Sequence, residues 1–218
     1  MEMRVHVTRA KVVLAAGLVL MAIAIVVTLS GSPLVVAHAN GTVPNEAIVE
    51  TANEAEACQG GEVLPAGISA IRITLLSDAG PRVSLTALSG ARVLTDGVAG
   101  SGWTSGAVTV PVRPVARTVS DVRICFRLGP TVETVALYGS PTRAAVAARD
   151  REGNPLPGRI TIEYMRSALG SWWSDASAVA RHIGLGRAPS GTWIALLLLV
   201  LMGAAVASAS WMAAKGLG

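Results

Sequence analysis

Histidine is scarce in this chain, and none lies between His38 and His182. That gap removes from the central region the Ser-His-Asp and Cys-His constellations and the common zinc sites, all of which need an imidazole. Lysine is as rare: Lys11 and Lys215 stand against sixteen arginines, one beside each of two apolar runs. Aromatic residues make up only 4% of the chain. A nucleic-acid surface usually clusters its basic residues and interleaves aromatics, whereas these arginines are scattered singly among carboxylates, so no nucleic-acid partner is expected. The excess of Arg, Ala, Gly and Val fits a high-GC coding bias. Cysteine is limited to Cys58 and Cys125, an even count in what reads as an exported region, so a disulfide is expected. Neither has a CxxC partner or a His or Lys neighbour, which argues against a reactive thiol, and two cysteines alone do not fill a tetrahedral metal site.

Charge is missing altogether from two long stretches. Trp193–Ala214 holds none in 22 residues, which makes roughly 33 Å of helix, enough to cross a hydrocarbon core of about 30 Å. Trp193 and Trp211 lie near its ends, where amphipathic rings prefer the headgroup level. Val12–Leu29 is likewise uncharged and makes about 27 Å if helical. Arg4, Arg9 and Lys11 precede it against the single Glu2, a bias that keeps the N-terminus cytoplasmic and exports the chain beyond Leu29. Two readings compete here. The run is an uncleaved anchor, or it belongs to a signal peptide cut near Ala37-His38-Ala39, although its apolar region is long for the latter. The expected organisation is a basic cytoplasmic tail (1–11), a transmembrane helix or signal peptide (12–29), an acidic linker or edge segment (30–57), a β-sandwich domain (58–166), an amphipathic juxtamembrane helix (170–186), a transmembrane helix (192–214) and a short cytoplasmic tail (215–218). The bilayer is then the first partner. Both termini are cytoplasmic in the two-pass form, and the chain is single-pass if the leader is cleaved.

The middle of the chain is rich in Val, Thr, Gly and Ala and reads as strands. Ile71, Ile73 and Leu75 alternate with Arg72 and Thr74; Val83, Leu85 and Ala87 alternate with Ser84 and Thr86. A further run starts at Arg92 and is expected to end in a turn at Asp96-Gly97. Val108, Val110 and Val112 come next, with Pro111 marking an edge or bulge, then Val122, Ile124, Phe126 and Leu128, then Val135 and Leu137, then Ile160, Ile162 and Tyr164. Seven or eight short strands without helical crossovers over residues 60–140 predict an antiparallel sandwich or jelly roll. Cys125 shares the Arg123/Arg127 face, so the segment before the first strand is expected to cross that face. Pro141–Pro157 reads as one helical turn or a long loop.

Upstream, Glu46, Glu50, Glu54 and Glu56, with Glu62 just beyond, lack an Asp-x-Asp-x-Gly calcium loop and read as a solvated acidic face. A short helix bracketed by Thr42-Val43-Pro44 and Gly60-Gly61, or an edge strand at Ala47–Thr51, fits the segment equally. Of Asp78, Asp96, Asp121, Glu133 and Glu163, which a carboxylate-pair hydrolase would draw on, most fall at turns or on outward strand faces, and the Gly100-Ser101-Gly102 loop precedes no helix, so neither catalysis nor a cofactor is expected. The same loop carries Trp103, the one Trp of the β-region. It is the candidate ligand platform if exposed, since an aromatic face stacks on sugar C–H groups; turned inward, it would instead close one end of the core.

The Trp-bearing loop, the Val-x-Val strands and the Val-Arg-Ile-Cys-Phe strand resemble galactose-binding-like jelly rolls over roughly residues 58–140. The chain as a whole is similar to two-pass envelope proteins of high-GC Gram-positive bacteria. The resemblance is one of pattern; it implies binding of glycans or partner proteins and carries over no binding residue, and the calcium loop frequent in that family is not recognisable here. Past the strands, Trp172, Ala176, Val179, Ala180 and Ile183 recur at helical spacing, which fits equally an amphipathic helix in the outer membrane interface and one packed on the open side of the sandwich. In the first case Trp172, Trp173, Arg181 and Arg187 join Trp193 and Trp211 as membrane-interface residues. Two functions fit these features: a non-catalytic anchored module holding an envelope glycan or glycolipid for a partner enzyme, or an assembly subunit whose spans pack on a membrane protein through Gly203 and Ala207.

Overall fold

The computed structural model describes Gly17, residues 19–173 and Gly203. It divides into two units, Met1–Pro33 with Ala168–Gly218, and Leu34–Ser167. In the first, residues 19–30 are helical, as are Trp172 and Trp173. No helix among the described residues is long and apolar enough to cross a membrane. The expected spans lie largely outside those residues: 12–29 is described at Gly17 and from 19 onward, and 192–214 at Gly203 alone. Of the juxtamembrane helix, only the start is described, where Trp172 and Trp173 are exposed. Arg181, Arg187, Trp193, Trp211 and Ala207 fall outside.

The second unit is a β-sandwich of two antiparallel sheets, as the alternation of apolar residues required. Its strands are β1 (Leu34–Ala39), β2 (Glu46–Thr51), β3 (Ala55–Leu64), β4 (Ala70–Leu76), β5 (Val83–Ser89), β6 (Arg92–Ala99), β7 (Gly106–Pro111), β8 (Val119–Leu128), β9 (Val135–Pro141), β10 (Arg149–Asp150), β11 (Gly158–Ile160) and β12 (Ile162–Ser167). One sheet runs β1-β12-β4-β9-β11, with β2 on β9 and β7 on β4; the other runs β10-β3-β8-β5-β6. One core joins them. Ile71, Ile73 and Leu75 of β4, Val108 and Val110 of β7 and Tyr164 of β12 meet Val83 and Leu85 of β5 and Ile124, Phe126 and Leu128 of β8. Burying one such side chain contributes roughly 1.5–3 kcal/mol, which makes the period-two pattern decisive for which way each strand faces. Pro111 ends β7, which pairs with β4 alone, so its missing N–H interrupts no interior ladder.

Three expectations are corrected. The sandwich begins at Leu34 rather than Cys58, because the supposed linker contains β1, β2 and the start of β3. β1 pairs with β12 and β2 with β9, each partner about ninety residues or more along the chain. Every residue of β1 is exposed, so it shows no alternation to read. Of the two readings of the acidic segment, the edge strand at Ala47–Thr51 is met by β2 and the short helix is not. Asp96-Gly97 is no turn: both lie inside β6, opposite Thr86 and Leu85. Gly97 is required there by space, since a Cβ would sit 2.0 Å from the Pro111 carbonyl oxygen where β6 meets the end of β7. Finally, the Cys58 segment does not cross the sheet. It is a strand of it, hydrogen-bonded to β8 with Cys58 directly opposite Cys125.

The expected disulfide joins these two residues on the outer, arginine-bearing face of the sheet. It spans 67 positions of sequence. Closing such a loop restrains the unfolded chain by about 4 kcal/mol in the entropic account. Replacing both cysteines with alanine should therefore lower the unfolding free energy of the full chain by roughly 2–5 kcal/mol in urea titrations, with the native strand order retained.

Candidate functional site

The site grows from an irregularity in β3. Gln59 stands opposite Ile124 and Glu62 opposite Val122, so Gly60 and Gly61 together face the single residue Arg123. That is a β-bulge, and Gly61 takes the left-handed conformation it needs, with φ +68°. The bulge shifts the phase of the strand by one residue. Gln59 and Glu62 both point inward as a result, along with Ala57 and Leu64. A second irregularity on β8 restores register between Glu62/Val122 and Leu64/Val119, where Asp121 holds a φ of 56°. Aspartate is among the few residues that adopt this conformation at low cost.

Glu62 is only 2% exposed. It was expected on a solvated acidic face; the bulge turns it into the sandwich instead. Its Oε1 accepts from Arg159 Nη2 at 2.6 Å and from Asn40 Nδ2 at 3.2 Å, and its Oε2 accepts from the Tyr164 hydroxyl at 2.9 Å. Glu62 belongs to the five-stranded sheet, Arg159 and Tyr164 to the seven-stranded one, so this carboxylate links the two layers. Burial, reinforced by the Glu62 carboxylate, pushes the Tyr164 phenol above its ordinary range, so it stays a protonated donor. Asn40 completes the cluster by donating to the Ile160 carbonyl at 2.8 Å and accepting from the Ile162 N–H at 3.3 Å. The Asn40 side-chain amide is thus engaged within the fold.

Gln59, also buried, accepts from the Ile160 N–H at 3.1 Å and donates to the Val146 carbonyl at 3.2 Å. It thereby pins the segment between β9 and β11, which is the long loop expected at Pro141–Pro157 with the two-residue β10 inside it. The tip of this loop is a tight turn. Asp150 accepts from the Asn154 N–H at 2.8 Å and side-chain amide at 3.0 Å, and Arg149 Nη1 donates to the Gly153 carbonyl at 2.8 Å. The Asn154 side-chain hydrogen bond holds the exposed Asp150 carboxyl below its usual value.

Between this loop and the bulge lies a cleft of about 510 Å³. Gly60 and Gly61 leave its floor bare, since a Cβ on either would meet nothing within 4 Å. Arg123, Arg149, Arg151 and Arg159 line it, with Cys58 at its edge and Asp150 as the one carboxylate on its lining. Arg149 and Arg159 are already engaged, by Gly153 and Glu62. Arg123 and Arg151 have no carboxylate within 4.0 Å among the described residues. Arg127, on the same face as Arg123, is paired with Glu54.

Of the two settings expected for Trp103, the structure has the inward one. Trp103 is half-buried against the core, and its indole N–H donates to the Pro81 carbonyl at 2.7 Å. Gly80 lies so close that a Cβ there would sit 2.0 Å from the ring. Backbone bonds from Gly80 to the Trp103 carbonyl and from Gly102 to the Gly80 carbonyl fasten the two loops together. Its role is to close one end of the core. Of the cysteines, Cys58 borders the cleft as part of the disulfide. Glu56 lies beside both sulfurs, but disulfide sulfurs offer no thiolate to a metal ion.

The residues that sequence reasoning missed are Asn40, Gln59, Glu62, Arg159 and Tyr164 as one group. The available signal was the Gly60-Gly61 pair inside an otherwise strand-like run, since glycine within a strand marks a bulge. Compared with known proteins, the chain matches no family model and no curated protein.

Both the buried cluster and the loop turn can be tested by substitution. Glu62→Ala leaves Arg159 without its buried partner and should cost about 3–5 kcal/mol in denaturant titrations, against roughly 1–3 kcal/mol for Tyr164→Phe, which removes one hydrogen bond. Because Asp150 is lowered in the folded state, its turn is favoured above the ordinary carboxylate value of 3.8 and loses that contribution as pH falls through the lowered one. Protection factors for hydrogen exchange at Gly153 and Asn154, taken relative to the intrinsic rate at each pH, should fall over that acid range, and Asp150→Asn should abolish this pH dependence.

Proposed function

We propose that this chain is a membrane-anchored, extracytoplasmic binding module of jelly-roll type, without catalytic chemistry of its own, that holds an envelope glycan for a partner enzyme. The observation that carries the reading is the cleft between the β3 bulge and the β9–β11 loop. Its volume falls within the range of small-ligand sites, and backbone and side-chain hydrogen bonds from Gln59, Asn154 and Arg149 hold its walls in place before any ligand arrives. The glycan is assigned to this cleft and not to Trp103.

Other features support the parts of this reading. Val19, Leu20, Met21, Ile23, Ile25, Val26 and Val27 of the helix at 19–30 are all exposed, as suits a segment solvated by lipid. A disulfide persists in oxidising compartments, which favours export of the sandwich. A single carboxylate on the cleft lining does not supply the acid and base pair that glycoside hydrolysis uses, and His38 stacks on Tyr164 with ring centres 5.9 Å apart rather than lining the cleft. The alternative of an assembly subunit acting through its spans rests on Gly203 and Ala207, of which Ala207 lies outside the described residues.

Ala145 lines the cleft with its side chain exposed, so Ala145→Trp should fill the cleft without disturbing the core. On a glycan array, the full chain in detergent should bind at least one envelope-type glycan. The substituted chain should bind it roughly tenfold or more weakly at unchanged thermal stability. Undiminished binding by Ala145→Trp would remove the cleft as the site.

A further inference from the structure

The reading as a glycan-binding module leaves the kind of glycan open, and the charge of the cleft bears on it. Four arginines, Arg123, Arg149, Arg151 and Arg159, line one cleft. Surface arginines are ordinarily solvated or paired, as Arg72 is with Glu163 and Arg127 with Glu54. Here two of the four are already engaged. Arg159 is fixed by the buried Glu62, and Arg149 by the Gly153 carbonyl of its own turn. The other two, Arg123 and Arg151, stand without a carboxylate within 4.0 Å among the described residues. The bulge is what brings Arg123 to the opening, because two glycines without side chains stand opposite it.

An adjoining hollow of about 300 Å³ has the opposite sign. Glu54, Glu56, Asp150 and Glu152 line it, and Asp150 and Arg151 border both spaces. An anion is therefore drawn to one side of Arg151 and repelled from the other, which gives a bound chain a direction.

We propose that the cleft recognises an acidic glycan, taking a carboxylate, phosphate or sulfate group on Arg123 and Arg151 while Arg149 and Arg159 supply fixed positive charge behind it. Guanidinium groups suit this task because their planar donor sets match such oxyanions in bidentate geometry. A saccharide fits better than a lipid headgroup because the arginines, three of them exposed, border a cleft of about 510 Å³ that a single acidic ring can enter. The adjacent carboxylates would also repel an anionic bilayer.

The test uses the full chain in detergent and three sets of probes: paired acidic and neutral glycans on an array, with tetragalacturonate and its methyl ester as one pair; tripolyphosphate by calorimetry; and dioctanoyl phosphatidylglycerol by calorimetry. The expected result is binding of acidic glycans and tripolyphosphate, weakened by salt, with the neutral members of each pair failing to bind. Arg123→Ala/Arg151→Ala should lower the affinity roughly tenfold or more, and Arg92→Ala, in a different groove, should leave it unchanged. Equal binding of acidic and neutral glycans, indifferent to the double substitution, overturns the acidic specificity and leaves the glycan-binding reading standing. Arginine-dependent binding of phosphatidylglycerol with no glycan bound overturns both readings in favour of a lipid site. Absence of binding by all three sets of probes overturns both as well.

Discussion

A carboxylate withdrawn from water must find partners for its charge, and Glu62 finds all of them on the opposite sheet or beside it. Arg159, Tyr164 and Asn40 converge on its two oxygens, and through Asn40 the same cluster reaches the backbone of β11 and β12. Apolar contacts between the sheets are not directional and would tolerate sliding. The Glu62 cluster tolerates none, because a shift of one residue would leave a buried charge unpaired. It therefore sets where the two layers sit relative to each other, and with that the position of Arg159 at the edge of the cleft.

The cluster exists because β3 carries one residue more than β8 needs. Gly60 and Gly61 absorb the extra residue, turn Glu62 inward, and leave an uncovered patch of backbone outside. The same two glycines thus create the buried anchor on one face and the open floor of the cleft on the other. The disulfide lies immediately beside them, joining the strand before the bulge to its neighbour, so the irregular part of β3 is held at a covalent crosslink. A binding surface benefits from such an arrangement, since rigid walls lose little entropy when a ligand is taken up.

Trp103 and the arginines show two opposite uses of polar chemistry. The indole spends its one donor on the Pro81 carbonyl and its flat face on Gly80, which leaves it little to offer a sugar. Arg123 and Arg151 spend nothing on carboxylates within the described fold. Aromatic scarcity makes Trp103 conspicuous in the sequence, whereas arginine is so common in this chain that no single one stands out.

Much of the sandwich was legible from residue order. Alternation in β4, β5, β7 and β8 named the inward faces correctly, Pro111 marked an edge strand, and two cysteines in an otherwise cysteine-free chain indicated a bridge. Local chemistry suffices for these, because side-chain direction in a strand follows from period two alone. The strands of the acidic segment were harder to read, since β1 and β2 are edges whose partners lie far along the chain, and Gly97 looked like a turn because a close backbone approach leaves no mark in sequence. The site itself was decided only by the tertiary structure. Whether Glu62 meets water or Tyr164 depends on a one-residue bulge, and whether four scattered arginines share a cleft depends on which strands lie side by side. Both are matters of pairing between distant segments, and periodicity within a segment carries no information about its partner.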